Sequence, residues 1–77
     1  MAITYVGVQA MHGLDGSITP LVMHWTDGRK FEIDKILDVK PAPTVGSGIG
    51  KKYVCRICGK EVNLFCDSSN GKWYVEH

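Results

Sequence analysis

Residues 53–66 read YVCRICGKEVNLFC, and two readings of this stretch lead to two different molecules. In one, Cys55-Arg56-Ile57-Cys58-Gly59-Lys60 is a zinc knuckle. In the other it is the turn region of a β-hairpin whose cysteines are small apolar residues. A two-residue Gly59-Lys60 turn, with glycine first as type II′ geometry prefers, sets Ile57 opposite Val62, Cys55 opposite Leu64 and Tyr53 opposite Cys66. Each pair matches in character. Because direct cross-strand partners share a face, Cys55 and Cys66 then lie on the core side and Cys58 points to the other. The strand from Glu61 to Cys66 carries Cys66 roughly 17 Å along at about 3.3 Å per residue, whereas tetrahedral zinc needs its sulfurs about 2.3 Å from one ion. A three-cysteine site and this hairpin exclude each other.

A complete zinc ribbon also requires a second cysteine pair, and only Cys66 follows, with Asp67 beside it. No spacing recommends His12, His24 or His77 as a fourth ligand. A thioredoxin-like role for Cys55 and Cys58 lacks the helix N-terminus that lowers such a thiol's pKa. The hairpin is therefore the preferred reading, with no metal and no cofactor expected. A zinc-stabilised ribbon using Cys55, Cys58 and Cys66 is kept as an alternative.

Outward from the hairpin, short apolar alternations are interrupted by turn residues every eight to twelve positions, the pattern of a small all-β barrel or sandwich. Residues 2–11 alternate loosely, His12 to Ser17 is a loop, and Thr19 to Trp25 alternates cleanly. Between Trp25 and Arg29 a two-residue Asp-Gly loop would pair Met23 with Glu32, mixing core with solvent. A three-residue Thr26-Asp27-Gly28 loop with Gly28 left-handed instead pairs Met23 with Phe31 and Leu21 with Ile33. This predicts an inner face of Leu21, Met23, Trp25, Phe31 and Ile33. The chain is expected to be one domain, residues 1–77, of about six antiparallel strands in a partly open barrel or sandwich. A flexible loop over about 41–51 separates the N-terminal strands from a C-terminal three-strand meander.

Composition narrows the function classes. At 77 residues, with 44% apolar and 22% charged residues, the chain is an ordinary globular domain near the size at which one core is marginally stable without metal, disulfides or self-association. No apolar run approaches the roughly 18 residues of a membrane span, and Met1 to Thr4 lacks the start of a signal peptide. A cytoplasmic location with reduced thiols and no membrane partner is the expectation. A net charge of +1 supplies no global field for nucleic acid. Gly46-Ser47-Gly48-Ile49-Gly50-Lys51 fails the phosphate-loop pattern, since Val45 stands where its first glycine should be. The carboxylates Asp15, Asp27, Glu32, Asp34 and Asp38 sit at turn or solvent positions with no nucleophile at a telling distance. No enzyme is expected.

The segments Ile18-Thr19-Pro20-Leu21, Trp25-Thr26-Asp27-Gly28-Arg29, Phe31 to Val39, Tyr53, Gly59-Lys60 and Lys72-Trp73-Tyr74-Val75-Glu76 resemble a family of short uncharacterised proteins of Gram-positive bacteria. The resemblance implies a small β-rich domain of unknown function. Distantly similar domains occur near translesion DNA polymerases, which implies a link to nucleic acid. His77 lies past the point where such chains tend to end, and is either native or the start of a tag.

The residues themselves suggest one working surface. The register sets Val54, Phe65 and Tyr74 side by side on the face opposite the core, with Lys51, Lys52, Arg56, Lys60 and Lys72 on or beside it. Val54, Arg56, Phe65, Lys72 and Tyr74 are the candidate binding residues. Aromatic and basic groups on a sheet are how single strands are stacked and steered. A covered row is the preferred expectation, either by the N-terminal strands in a closed barrel or by a protein partner or second copy in a homodimer, because large apolar patches are seldom exposed on small monomers. A non-catalytic binding or interaction module is the resulting reading, with a nucleic-acid accessory domain as the alternative.

Overall fold

The computed structural model describes residues 2–44, 49–67 and 71–76. The described residues form seven antiparallel strands: β1 (Ile3–His12), β2 (Ile18–His24), β3 (Lys30–Glu32), β4 (Lys35–Pro43), β5 (Ile49–Ile57), β6 (Lys60–Cys66) and β7 (Trp73–Glu76). They make one sheet in the order β3-β2-β1-β7-β6-β5-β4, curled into a partly open barrel. Chain segments from both ends of the sheet meet at the β3–β4 corner. There Ile33 N–H donates to Leu21 O of β2 at 3.0 Å and Asp34 N–H donates to Arg56 O of β5 at 2.9 Å. One end of the barrel is tied at that corner, and the other stays open.

The Asp-Gly turns are built alike. Trp25 N–H bonds Arg29 O, Gly28 N–H bonds Trp25 O, Asp27 accepts from Arg29 N–H, and Gly28 has φ 91°. The β1–β2 turn repeats this at Gly13, Asp15, Gly16 and Ser17. The three-residue loop thus delivers the expected Met23–Phe31 pair. Leu21 departs from the expected inner face. A β-bulge between Gln9 and Ala10 sets Val22 and Pro20 opposite β1 and skips Leu21. As a result Pro20 is buried and Leu21 is 46% exposed.

The β5–β6 hairpin forms, but with a different turn. Its two central residues are Cys58 and Gly59, both at positive φ (53° and 76°), as the type I′ turn of hairpins requires. Ile57 therefore faces Lys60, Cys55 faces Val62 and Tyr53 faces Leu64. The slip from the expected register is two residues, so each side chain keeps its face. The core consists of Met23, Tyr53, Cys55, Ile57, Leu64 and Val75, with Val6, Val8, Trp25, Phe31 and Trp73 packed against it. Both tryptophans are half-buried on this inner side.

The loop expected over about 41–51 is mostly strand. Pro41 pairs with Lys51, Ala42 with Gly50 and Pro43 with Ile49, forming a β4–β5 arm that extends past the barrel body. Proline at alternate positions is compatible with an edge strand, because ladder bonds run through Lys40 and Ala42 and none needs a proline N–H. Gly50 is required there, since a Cβ would run into the Cys66 carbonyl oxygen. Residues 45–48, including the phosphate-loop-like glycines Gly46 and Gly48, and His77 lie outside the described residues. Among the described residues no helix is long and apolar enough to cross a membrane.

Candidate functional site

The predicted binding residues separate into three groups. Phe65 pairs with Tyr74 and Lys52, and the Phe65 and Tyr74 rings stack with centroids 5.0 Å apart and planes 5° from parallel. Val54 is one row away, opposite Asn63 and Asp38. Arg56 is a row further still, between Lys35 and Glu61. The place expected for Val54 is taken by Lys52, because of the two-residue slip, and the row continues on its far side to Tyr5 of β1, opposite Tyr74. Tyr5 meets Tyr74 edge-on at 5.8 Å, and the Lys72 ammonium lies 5.7 Å from the Tyr5 ring centre. Phe65 and Tyr74 are 7% and 2% exposed, against 48% for Tyr5. Of the aromatic row only Tyr5 offers an accessible ring. Its signal was present in the sequence as the odd members Tyr5, Gly7, Gln9 and Met11 of the first alternation.

The thiols diverge. Cys55 is buried, Cys58 is exposed at the turn and Cys66 is half-buried at the far end of β6. Burial pushes the Cys55 thiol up to about 11. It also raises Cys66, with the neighbouring Asp67 charge adding to the rise and Lys51 opposing it. Neither is a reactive thiolate near neutral pH. Among the described residues no three His, Cys, Asp or Glu side chains converge as a metal site. Asp15 and Asp27 are held below the ordinary carboxylate range by their hydrogen bonds to Ser17 and Arg29, which is turn chemistry rather than catalysis.

Hydrogen-bond accounting along the strand edges points elsewhere. In an antiparallel pair, bonded and non-bonded positions alternate. Gly13 N–H bonds Ser17 O, so the next pair, His12–Ile18, is non-bonded and the main-chain groups of His12 point away from β2. The same holds for Ala10, opposite Pro20, which has no N–H to give. Beyond the bulge, the Trp25–Arg29 bond makes Met23–Phe31 a bonded pair, so Met23 spends its groups on β3. Val8, opposite Met23, therefore also points away from β2. The strand on that side is β7, whose pairing with β1 ends at Val6–Trp73. Val8, Ala10 and His12 thus line an edge with no strand partner among the described residues.

The free edges of β2 and β4 are handled differently. On β2 the outward positions are Ile18 and Pro20. Pro20 lacks an N–H, and the Ile18 carbonyl accepts the Tyr53 hydroxyl at 3.0 Å across the open mouth. On β4 they are Val39, Pro41 and Pro43. The β1 edge has neither proline nor a side-chain cap among the described residues, and the remaining edge strand, β3, is only three residues long with charged Lys30 and Glu32 at its outward positions, the usual way to blunt an edge.

Three cavities surround this open end. The mouth between Ile18 and the β4–β5 arm is a cleft of about 510 Å³, lined also by Lys51, Tyr53, Cys66 and Asp67. Two others flank the β1 edge. On the outer side a groove of about 500 Å³ runs between Tyr5, Gly7, Gly71 and Lys72. On the inner side a cavity of about 360 Å³ is lined by Val8, Ala10, Ile18, Cys66 and Trp73.

No family model, curated protein or solved structure matches this chain. Its function has to be argued from its own surfaces.

Proposed function

We propose that this chain is a non-catalytic interaction module, and that its binding surface is the open end of the barrel beside the second half of β1. The observation that carries this reading is the β1 edge, uncapped among the described residues, with a cavity on each face. Unpaired strand groups in a folded domain are a template for association, and small sheets usually cover or blunt them. The divergent thiols and the turn-bound carboxylates supply no competing catalytic constellation. Affinity capture from the source cell, followed by amide-shift mapping with the captured partner, tests the proposal. Shifts confined to the closed end, around Ile33 and Cys58, would refute it.

A second reading, single-stranded nucleic acid on the outer face, is favoured by the row Lys40, Lys52, Phe65, Tyr74 and Tyr5, with Lys72 over the Tyr5 ring. It predicts that a short oligonucleotide shifts the Tyr5 and Lys72 amides in a steeply salt-dependent way. Binding would have to rely on Tyr5 for stacking, because the Phe65 and Tyr74 rings face each other. The protein reading is preferred for that reason.

A further inference from the structure

We infer that the partner is an extended peptide segment that adds to the edge of β1, in line with β7, along Val8, Ala10 and His12. This deepens the interaction-module reading and rests on it. Three observations support it independently. The first is the main-chain pattern. Thr4 and Val6 pair with Val75 and Trp73 of β7, and the outward groups of Val8, Ala10 and His12 continue that ladder past the point where β7 stops. What such a row of alternating N–H and C=O groups accepts is another strand.

The second observation is the space above and below. Successive side chains of a strand point to opposite faces. A chain laid in this lane would direct alternate residues into the inner cavity beside Val8, Ala10, Ile18 and Trp73, and into the outer groove beside Tyr5 and Lys72. The inner positions call for apolar residues. The outer ones suit a carboxylate, because Lys72 is the charged side chain lining that groove among the described residues.

The third observation is Gly7. Its φ does not fall in the left-handed region, and a Cβ placed on it would meet nothing closer than the His24 Cβ at 3.4 Å. Neither backbone conformation nor packing demands glycine here. A strand glycine often marks a bulge, a tight bend or a close approach of another backbone or ligand; Gly7 lies where β1 passes from β7 to β2, and its missing side chain leaves the outer groove open.

Edge-to-edge pairing with a second copy fits less well. The lane is bounded at one end by Gly71, where the chain turns out of β7, so it suits a single extended segment better than the side of a whole sheet. The prolines Pro20, Pro41 and Pro43 at the β2 and β4 edges, and the short charged strand β3, favour strand addition at this edge.

The test uses the full chain and a capped peptide of about six residues alternating glutamate and valine, long enough at about 3.3 Å per residue to span Val8 to His12. The expected result is amide shifts at Val8 to His12 and Gly71 to Trp73, with slowed exchange of the Val8, Ala10 and His12 amides. Ala10→Pro removes one outward N–H without touching the β1–β2 ladder, and should weaken binding about tenfold. Should that variant fold poorly, the same peptide N-methylated at alternate amides must lose binding to the unaltered protein. Unchanged binding of the N-methylated peptide, shifts confined to the β4–β5 arm, or no shifts at millimolar peptide would overturn the inference. If wild type and a folded Ala10→Pro capture the same partner from lysate equally well, the β1 site falls and the interaction-module reading stands. Capture by neither, with no peptide shifts, overturns both.

Discussion

The β4–β5 arm and the second half of β1 both run past the closed body of the barrel, and each contains a strand glycine and a free edge. In the arm both features have structural causes. Gly50 is imposed by the Cys66 carbonyl, which occupies the space a Cβ would need, and two of the three outward edge positions are prolines. In β1 neither cause is present. Gly7 has room for a side chain, and Val8, Ala10 and His12 keep their N–H groups. Stability and protection against aggregation account for the arm. They do not account for β1, and what they leave unexplained is the evidence for use.

The comparison is most exposed to a pair of alanine substitutions. Gly50→Ala should destabilise by more than about 4 kcal/mol, because the clash is with backbone that cannot move aside. Gly7→Ala should stay within about 1 kcal/mol of wild type, in either direction. Denaturant melts of the two variants decide the matter. Similar losses at both positions would mean that Gly7 is structural after all.

A second prediction concerns the proline guard. Replacing Pro41 and Pro43 together with valine restores two N–H groups to the arm's edge and should raise the apparent mass in a concentration series by light scattering. An unchanged mass would show that the prolines guard nothing, and would weaken the contrast with β1. Smaller in energy is the cap on the β2 edge. Tyr53→Phe removes the hydroxyl that satisfies the Ile18 carbonyl and should cost about 1 kcal/mol. No loss would imply that water serves that carbonyl equally well.

The closed end provides a prediction of opposite sign. Cys58 sits at φ 53° in the first central position of the type I′ turn, where asparagine is preferred and a side chain with a Cβ is strained by about 1 kcal/mol. Cys58→Asn should therefore stabilise by about 0.5–1 kcal/mol. A destabilised variant would mean that the turn or the thiol has another role.

Much of this molecule was legible in its sequence, and the failures share a cause. The all-β class, the Thr26-Asp27-Gly28 loop and the faces of Cys55, Leu64 and Val75 followed from period-2 alternation and glycine placement. Alternation detects a slip of one residue, because it inverts the faces. It is blind to a slip of two, which is why the Gly59-Lys60 turn was a reasonable reading and Cys58-Gly59 is the real one: Cys55–Val62 matches in character as well as Cys55–Leu64. Prolines 41 and 43 read as loop because the sequence does not reveal which strand is an edge. Leu21 left the inner face through a bulge opposite Gln9, beside Pro20, whose presence inside a strand hints at an irregularity without showing which residue is skipped. The candidate site was least legible of all. Of the expected group Val54, Arg56, Phe65, Lys72 and Tyr74, the register separates Val54 and Arg56 from Phe65 and Tyr74, and Tyr5 joins the latter only through β1–β7 pairing between distant parts of the chain. The free edge arises from where β7 stops, which depends on that same pairing.

The central claim, that the second half of β1 is an edge without a strand partner among the described residues, is tested most directly by amide hydrogen exchange resolved by residue. Thr4 and Val6, bonded to β7, should be protected close to the level of global unfolding, whereas Val8, Ala10 and His12 should exchange with little protection and gain it on adding the glutamate–valine peptide. Equal protection along the whole strand in the free protein would mean that the edge is already covered, and would contradict the account.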